Sequence, residues 1–441
     1  MPNTRLQGLV QAADWTPSQL ARAIRKLGSV KNLTIGCDHT TVRRWLNGAR
    51  PRPPASTLLL ECLSRRLGKP ITAHDAGLTD APASVVNPSW QADPIRKLIQ
   101  LNDAGLDPTR PVVNASLFSM AALVVPDHLT STISPTQQTS PDKILHTSAD
   151  ISRLGGMANL FYTASQKYGG QQVRTPLTAY LAHHVTPLLQ ARAADHPERR
   201  AIFTSAAQLT LLLADMCADS GHDRNAQHYQ QVAAQLALHA GDRATLAIAL
   251  RTMATHAYDL GHHGPTVLNL IKQAAVHAHH APPAVQAYVQ AHLAAVQAHH
   301  DRRAALKALA RAESLHAQAD TAPNPFATYS PGALYFQSAR TLATLGDGAG
   351  AIRALATSQR LRTSAEHRAT VLAGADLAEL HLNLGHLDRA ISHTQTFLKA
   401  YPTLNSTRAA RRLKALHARL RPYQRHPQIS ALLTSLTLPN H

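Results

Sequence analysis

Aromatic residues are scarce in this sequence: they make up only 4% of its 441 residues, although 44% of the residues are hydrophobic. Alanine and leucine supply most of the apolar side chains, and this composition favours helix over sheet. A chain of this length can form two or more domains. We therefore predict an all-α protein with more than one domain.

Cysteine is scarce as well. The three cysteines, Cys37, Cys62 and Cys217, are odd in number, widely spaced and not part of a CxxC motif. This pattern gives no indication of a disulfide framework or a zinc site. Reduced cysteines in a cytoplasmic protein are the simplest explanation.

Acidic residues are few compared with basic ones. The chain has 26 Asp and Glu against 44 Lys and Arg, which gives a formal net charge of +18. No acidic residue follows Asp388, and residues 1–80 carry twelve basic against five acidic side chains. Such a balance suits a polyanionic partner, although it says nothing about the fold.

The common catalytic and cofactor motifs are missing. The sequence has no GxGxxG, GxxxxGK[ST] or GxSxG motif, and the histidines at 277–280 and 299–300 have no HExxH motif beside them. We therefore expect no enzyme activity, no cofactor and no metal site.

Long hydrophobic runs are also missing. The first residues lack the hydrophobic region of a signal peptide. The longest uncharged apolar stretch, residues 111–126, is PVVNASLFSMAALVVP, whereas a membrane span needs roughly 20 residues. We predict a buried helix there, no membrane contact, and a cytoplasmic protein located with the bacterial nucleoid.

The stretch from Thr16 to Leu78 predicts four short amphipathic helices. The first begins at Thr16 and Pro17 and ends at Gly28; the second lies between Asp38 and Gly48. The third contains Leu59 to Leu67, and the fourth begins at the capping box Thr72 to Asp75.

The second of these helices has a polar, cationic face opposite its apolar side chains Val42, Trp45 and Leu46. Arg, Asn and Thr on such a helix can contact base edges in a DNA major groove, and arginines in the next turn can contact phosphates. The candidate DNA-binding residues are His39, Thr40, Thr41, Arg43, Arg44, Asn47, Arg50 and Arg52. The alternative is a solvated helix face, and the ten residues between Leu27 and Asp38 are more than a tight helix-turn-helix needs.

We assign three regions to the chain. Residues 1–80 form the helix-turn-helix domain, and residues 81–147 form a linker that contains the buried apolar helix 111–126. Residues 148–441 form a helical domain that ends in a basic helix and an apolar helix. Proline-bearing polar sequences at residues 79–89 and 127–143 separate these regions.

The helical domain has an internal spacing typical of a repeat. Turn glycines lie between pairs of apolar helices, at intervals of 40, 85 and 39 residues, at Gly221, Gly261, Gly346 and Gly385. The sequence HHD at 299–301 stands where a further turn is expected. Alanine follows three of the glycines after five residues, where two helices touch closely. This spacing resembles the tetratricopeptide repeat, a stack of helix hairpins; the alternative is an irregular helical bundle.

Four stretches are similar to a known family of regulators. They are HTTVRRWLNGARPRPP with LSRRLGKPIT, SLFSMAALVVP, LTAYLAHHVTPLLQ, and AQLTLLLADMCADSG. Across its whole length the chain resembles actinobacterial (Streptomyces-type) transcriptional regulators with an N-terminal helix-turn-helix and a C-terminal tetratricopeptide-like domain. The architecture is also similar to that of Gram-positive peptide-sensing regulators. The resemblance implies that the N-terminal domain binds double-stranded operator DNA and that the repeats receive a signal.

The repeat resemblance also implies which side chains face the concave groove. The effector-binding candidates are the residues six positions before each turn glycine, Asp215, Thr255, Arg340 and Glu379, together with Arg251, one turn before Thr255. Mixed charges there suit a zwitterionic small molecule or a peptide, although the same residues could simply be solvated.

The sequence thus predicts a ligand-responsive, DNA-binding transcriptional regulator that forms a homodimer. The alternative is a protein-interaction adaptor whose repeats bind a partner polypeptide without operator binding. For the basic C-terminal helix we favour a repeat cap, with a dimer contact or a DNA-phosphate contact as alternatives.

Overall fold

The computed structural model describes residues 2–30, 33–79, 89–107, 118–126, 148–191, 196–319 and 325–435. Within these ranges helices are the only regular elements. The predicted all-α fold is therefore confirmed.

Residues 2–79, here called the head, contain α1 (Thr4–Ala12), α2 (Pro17–Val30), α3 (His39–Leu46) and α4 (Ala55–Leu67). They share an apolar core of their own, built around Leu6, Leu20, Ile24, Val42 and Leu63. Leu20 and Ile24 are spaced by one helical turn, so that α2 presents one apolar stripe to α3 and α4. The predicted helix around Val42 and Trp45 is present, but α1 is an additional helix that the sequence did not reveal.

Two predictions for the head are wrong: the end of one helix and the presence of another. Helix α2 does not end at Gly28 but continues to Val30. A Cβ at Gly28 would lie 3.1 Å from both Leu33 O and Ile35 Cγ1, so the glycine allows the following loop to approach the helix. The helix predicted after Thr72 is a turn. The capping-box bonds between Thr72 and Asp75 form at 2.9 and 3.1 Å, but the chain reverses at Gly77, where φ is 62°.

The region between the head and the helical domain differs from the prediction. It contains α5 (Pro94–Leu106), which packs on the helical domain through Leu98 and Leu101. Of the predicted buried helix 111–126, residues 111–117 lie outside the described residues. Residues 118–126, here called the strap, are mostly buried, although Val124 is exposed, and they contain only a 3₁₀ turn at Ala121–Leu123. Their polar backbone groups bond to side chains of other helices instead of forming a helix.

The helical domain begins with α6 (Ser148–Tyr168) and α7 (Gly170–Tyr180), which continues through a π turn at Leu181–Val185 into α8 (Thr186–Gln190). Five antiparallel hairpins follow along the chain. They are α9 (His196–Asp219) with α10 (Asp223–Ala240), α11 (Arg243–Asp259) with α12 (Pro265–His277), α13 (Pro283–Gln297) with α14 (Arg302–Ala317), α15 (Pro331–Thr344) with α16 (Gly348–Leu361), and α17 (His367–Asn383) with α18 (Leu387–Ala400).

The predicted hairpin turns are confirmed. The four turn glycines have φ between 76 and 85°, a left-handed conformation that other residues rarely adopt. The sequence HHD forms the turn of the α13–α14 hairpin, and Asp301 caps α14. Ala226, Ala351 and Ala390, five residues after a glycine, are fully buried. The tetratricopeptide-like hairpin fold is thus evident from the chain's own helices.

Among the helices that the structure describes, one is long and apolar enough to be compared with a membrane span. Residues Pro197–Asp219 of α9 have a mean hydropathy of 1.5, but 72% of that segment is buried within the protein. It therefore has the position of a core helix.

The hairpins form a closed ring. The last helices are α19 (Thr407–Leu420) and α20 (Pro427–Ser435). Just before α19, the Asn405 N–H donates to Tyr168 O at 2.9 Å, and Ser406 Oγ donates to Asp219 Oδ1 at 2.7 Å. The C-terminal helices therefore return to the start of the helical domain, so the concave side of the repeats becomes an interior.

Candidate functional site

The polar face of α3 is solvent-exposed. Asp38 caps the helix by accepting a 2.7 Å bond from the Thr41 N–H, and this bond lowers the pKa of the Asp38 carboxyl. Val42 and Trp45 fix the opposite side of the helix in the core of the head. The helix is thereby held with its cationic face outward.

The candidate DNA-binding residues share this outward position. Thr41 is half-buried, and its hydroxyl donates to Asp38 at 2.7 Å. The others are exposed: His39, Thr40, Arg43, Arg44, Asn47, Arg50 and Arg52. The side chains of Arg43 and Arg44 form no hydrogen bond or ion pair with the part of the chain that the structure describes. Their guanidinium groups are therefore available to an external anion.

Helix α1 positions the C-terminal end of α3. The Asn3 N–H donates to Leu46 O at 2.9 Å, and Gln7 Nε2 donates to the same oxygen at 3.0 Å. The Asn3 side chain also caps α1 and donates to Ala76 O at 2.8 Å. These positioning residues were missed because no helix was predicted before Thr16; Asn3 as a possible N-cap was the available signal.

A cavity of about 290 Å³ lies inside the ring of hairpins. Three of the effector-binding candidates, Asp215, Arg251 and Thr255, line it. The other two lie outside its lining: Arg340 forms an ion pair of 2.6 Å with the lining residue Asp259, and Glu379 lies 3.4 Å from Arg412. The predicted groove residues therefore do not form one surface.

Several lining residues come from elements far apart in sequence. They include Tyr162 on α6, Gln230 on α10, Tyr288 on α13, Tyr329 just before α15, Arg362 just after α16, and Arg368 on α17. Sequence reasoning missed them because these elements meet only in the folded stack: α11 packs against α13, and α6 packs against α17. Their aromatic rings and guanidinium groups provide both apolar and cationic contacts.

Most charges at the cavity are paired. Arg368 lies 2.6 Å from Asp215, and Arg362 lies 3.0 Å from Glu366. Nearby Arg368 and Arg408 keep the Asp215 carboxyl ionised: despite burial, they hold its pKa below the usual range. Paired charges of this kind fix the ring geometry and leave little net charge of their own.

Arg251 differs from its neighbours. Its Nη1 donates to the Tyr288 hydroxyl at 2.8 Å, and its guanidinium carbon lies 3.8 Å from the centre of that ring. The residue is buried, with 7% of its surface exposed. Among the described residues no carboxylate lies within ion-pair distance of it.

The strap connects the head to the hairpins. Ser119 exchanges two hydrogen bonds with the Gln227 side chain on α10, of 3.0 and 2.6 Å. The next residue, Met120, donates its N–H to Glu61 Oε1 on α4 at 3.1 Å. Consecutive strap residues are thus bonded to the helical domain and to the head.

The basic C-terminal helix α19 uses several arginines within the protein. Arg411 pairs with Asp223 at 3.1 Å, and Arg412 pairs with Asp376 at 3.0 Å. These contacts agree with a closing role for the helix.

Metal-binding and disulfide chemistry find no support in the described ranges. No group of three or more His, Cys, Asp or Glu side chains there could hold a metal ion. The three cysteines are free and buried, and burial raises the pKa of the Cys62 and Cys217 thiols to about 12.

One comparison with known protein families matches the head. A family model described as the SP15 N-terminal domain matches residues 6–79, which coincide with the core of the head. No curated protein matches the chain. Among solved structures, the chain is similar to one in the crystal structure of the APC/C hetero-tetramer Cut9-Hcn1, with a TM-score of 0.33 and 15% identity, over 94% of this chain and 74% of that one.

Proposed function

We propose that this protein is a sequence-specific DNA-binding transcriptional regulator. The observation that carries the proposal is the outward face of α3, where Arg43 and Arg44 have no partner within the described residues. Two adjacent arginines, with Thr40 and Asn47 on the same exposed side, match the side chains that read base edges in a major groove. Arg52, in the following turn, is exposed where a phosphate would pass.

The way in which the head holds α3 supports this proposal. The head has its own apolar core, and α3 is held by Asp38, Asn3 and Gln7 without using its cationic side chains. A reading helix needs this arrangement, since the side chains that contact bases must be free while the backbone is fixed.

The remaining parts of the proposal concern assembly and location. We propose a homodimer, because one head offers few phosphate contacts and two heads on adjacent half-sites double them. We propose that the protein is not an enzyme and acts in the cytoplasm, where bacterial DNA is accessible. Light scattering of the full-length protein on its selected DNA tests the dimer.

The test is selection of DNA fragments by the full-length protein from sheared genomic DNA, followed by sequencing and gel shift. We expect enrichment of a short motif. If about six phosphates are contacted, affinity falls on the order of 10³-fold between 50 and 200 mM salt. An Arg303→Ala variant, which loses a positive charge on the exposed side of α14, should select the same motif as the unmodified protein. No enriched motif together with a flat salt response would contradict the proposal.

A protein-interaction adaptor is the second candidate. The tetratricopeptide-like hairpins favour it, since stacked hairpins generally present binding surfaces for other proteins. Leu160 and Val276 are exposed apolar side chains of the helical domain, and such side chains also favour an adaptor. The same gel shift distinguishes the two candidates, because an adaptor gives no salt-resistant specific band.

A further inference from the structure

Among the residues that the structure describes, Arg251 is a buried cation without a counterion. The other arginines that line the cavity contact carboxylates: Arg362 at 3.0 Å, Arg368 at 2.6 Å, and Arg408 at 4.0 Å. Among the described residues, the Arg251 guanidinium donates to the Tyr288 hydroxyl and lies over that ring, and no carboxylate pairs with it. A buried charge with no compensating charge destabilises the folded state. An anion bound at Arg251 would remove that cost.

Further hydrogen-bond donors at the cavity have no partner. Arg251 Nε, Arg362 Nε and the Tyr329 hydroxyl are buried and unpaired within the described ranges. Burial raises the pKa of Tyr329 well above its usual range, while the charges of Arg251 and Arg362 oppose that shift. The hydroxyl is therefore protonated, and it lies within electrostatic reach of both guanidinium groups.

The rest of the lining selects the other parts of a ligand. Tyr162 and Phe326 provide aromatic surface. Gln230 Oε1 is a buried acceptor that has no partner in the described part of the chain, so it favours a ligand with an N–H or O–H group. The volume of about 290 Å³ is at the lower end of the roughly 300–1,000 Å³ of small-molecule sites.

We propose that the cavity binds a small organic carboxylic acid. Its carboxylate lies at Arg251 and the Tyr329 hydroxyl, its apolar part contacts Tyr162 and Phe326, and a donor group pairs with Gln230. The proposal names the effector class of the regulator proposed above and rests on it only for that role, since binding itself does not require DNA.

The experiment uses isothermal titration of the full-length protein with N-acetyl-L-phenylalanine, which has a carboxylate, an aromatic ring and one N–H group. The matched probe is N-acetyl-L-phenylalaninamide, which lacks the charge. We expect the acid to bind at one site per chain. The affinity of the amide should be lower by a factor of about ten or more. Equal binding of the two probes, or no binding of the acid at about 10 mM, would overturn the proposal.

Variants assign the binding to this cavity. Arg251→Gln should weaken binding of the acid at least about tenfold, and Tyr329→Phe should weaken it several-fold. Arg303→Gln, an exposed arginine on α14, should bind as the unmodified protein does. Circular dichroism checks the fold of each variant. If Arg251→Gln does not fold, Tyr329→Phe decides the matter, and unchanged binding by either folded variant refutes the site.

Gel shift of the same variants without ligand separates this proposal from the proposed function. Arg251→Gln and Tyr329→Phe leave α3 untouched, so they should bind the selected DNA as the unmodified protein does. Loss of acid binding with DNA binding retained supports the cavity. DNA binding without any acid binding refutes the cavity and leaves the regulator intact.

Discussion

Arg368 and Asp215 are separated by 153 residues in sequence and form an ion pair of 2.6 Å. The pair joins α17 to α9 beside the cavity. Arg368 also lies 3.5 Å from Asp219, which accepts bonds from Ser406 Oγ and the Gly170 N–H at 2.7 Å each. The closed ring is therefore held by a connected set of charged and polar contacts between its first and last hairpins.

Breaking this pair should destabilise the ring. Arg368→Met removes this cation from the partly exposed Asp215 and from the fully buried Asp219, and we expect a loss of about 1–3 kcal/mol of unfolding free energy. Urea unfolding followed by circular dichroism measures the loss. Arg360→Met, at an exposed position of α16, should change the unfolding free energy by less than about 0.5 kcal/mol.

A double-mutant cycle checks the assignment to Asp215. Combined with Arg368→Met, Asp215→Asn should cost less than the sum of the single changes, by more than about 0.5 kcal/mol. Strict additivity would mean that the two side chains do not interact in solution.

The two groups of arginines in the head should have different effects on DNA binding. Arg43→Ala should reduce the discrimination between the selected motif and mismatched sites, since one base contact contributes about 1–3 kcal/mol. Arg52→Ala should weaken binding to every sequence and reduce the salt slope by about 1. Gel shifts over a range of salt concentrations on matched and mismatched duplexes distinguish these outcomes. Unchanged preference in Arg43→Ala removes this residue from the base-reading set.

Lys97 should give the protein a pH-dependent stability. Its ammonium group is buried, donates to Ser89 O and to Gln235 Oε1 at 3.1 Å, and burial lowers its pKa to about 8. Between that value and the usual 10.5 of an unfolded chain, the unfolded state binds more protons. Stability contributed by this residue therefore rises as the pH increases from about 8 to 10.5.

Comparison with Lys97→Met isolates this contribution. The unfolding free energy of the unmodified protein should gain on the order of 2–3 kcal/mol relative to the variant between pH 7.5 and 10.5. Lys272→Met, at an exposed position of α12, should show no such trend. A constant difference across this pH range would contradict the burial of a charged Lys97.

The hairpin contact behind each turn should tolerate only a small side chain. Ala351 is fully buried, five residues after Gly346. Ala351→Leu should destabilise the protein by about 1–3 kcal/mol, because the added atoms force the two helices apart. Ala349→Leu, exposed on the same helix, is the control. Equal melting temperatures for the two variants would show that the helices do not touch at Ala351.

Local sequence signals predicted the hairpins well. A glycine with a left-handed φ, an alanine five residues later and an aspartate cap each act within a few residues, so Gly221, Ala226 and Asp301 could be identified from spacing alone. The α3 helix was predictable for the same reason, since Asp38 and Trp45 define its start and its buried side. That its exposed side reads DNA stays a prediction.

Long-range structure was not predictable from such signals. Gly28 looked like a helix stop, but it allows Leu33 to approach the helix, which depends on the path of the next loop. Ser406 meets Asp219 across 187 residues, and only this closure turns an open groove into a cavity. The repeat spacing assigned Arg340 to the groove. In the structure Arg340 lies outside the cavity lining, because it pairs with Asp259.

Helix α10 carries two glutamines that lie at the strap and at the cavity. Gln227 holds the strap by its backbone, and Gln230 lines the cavity three residues later. Because an α-helix rises about 1.5 Å per residue, the two positions are separated by roughly 4.5 Å along the axis. A molecule that shifted α10 at Gln230 would therefore move the anchor of the strap by nearly the same distance, and the bond from Met120 to Glu61 would carry that displacement from the strap to the head.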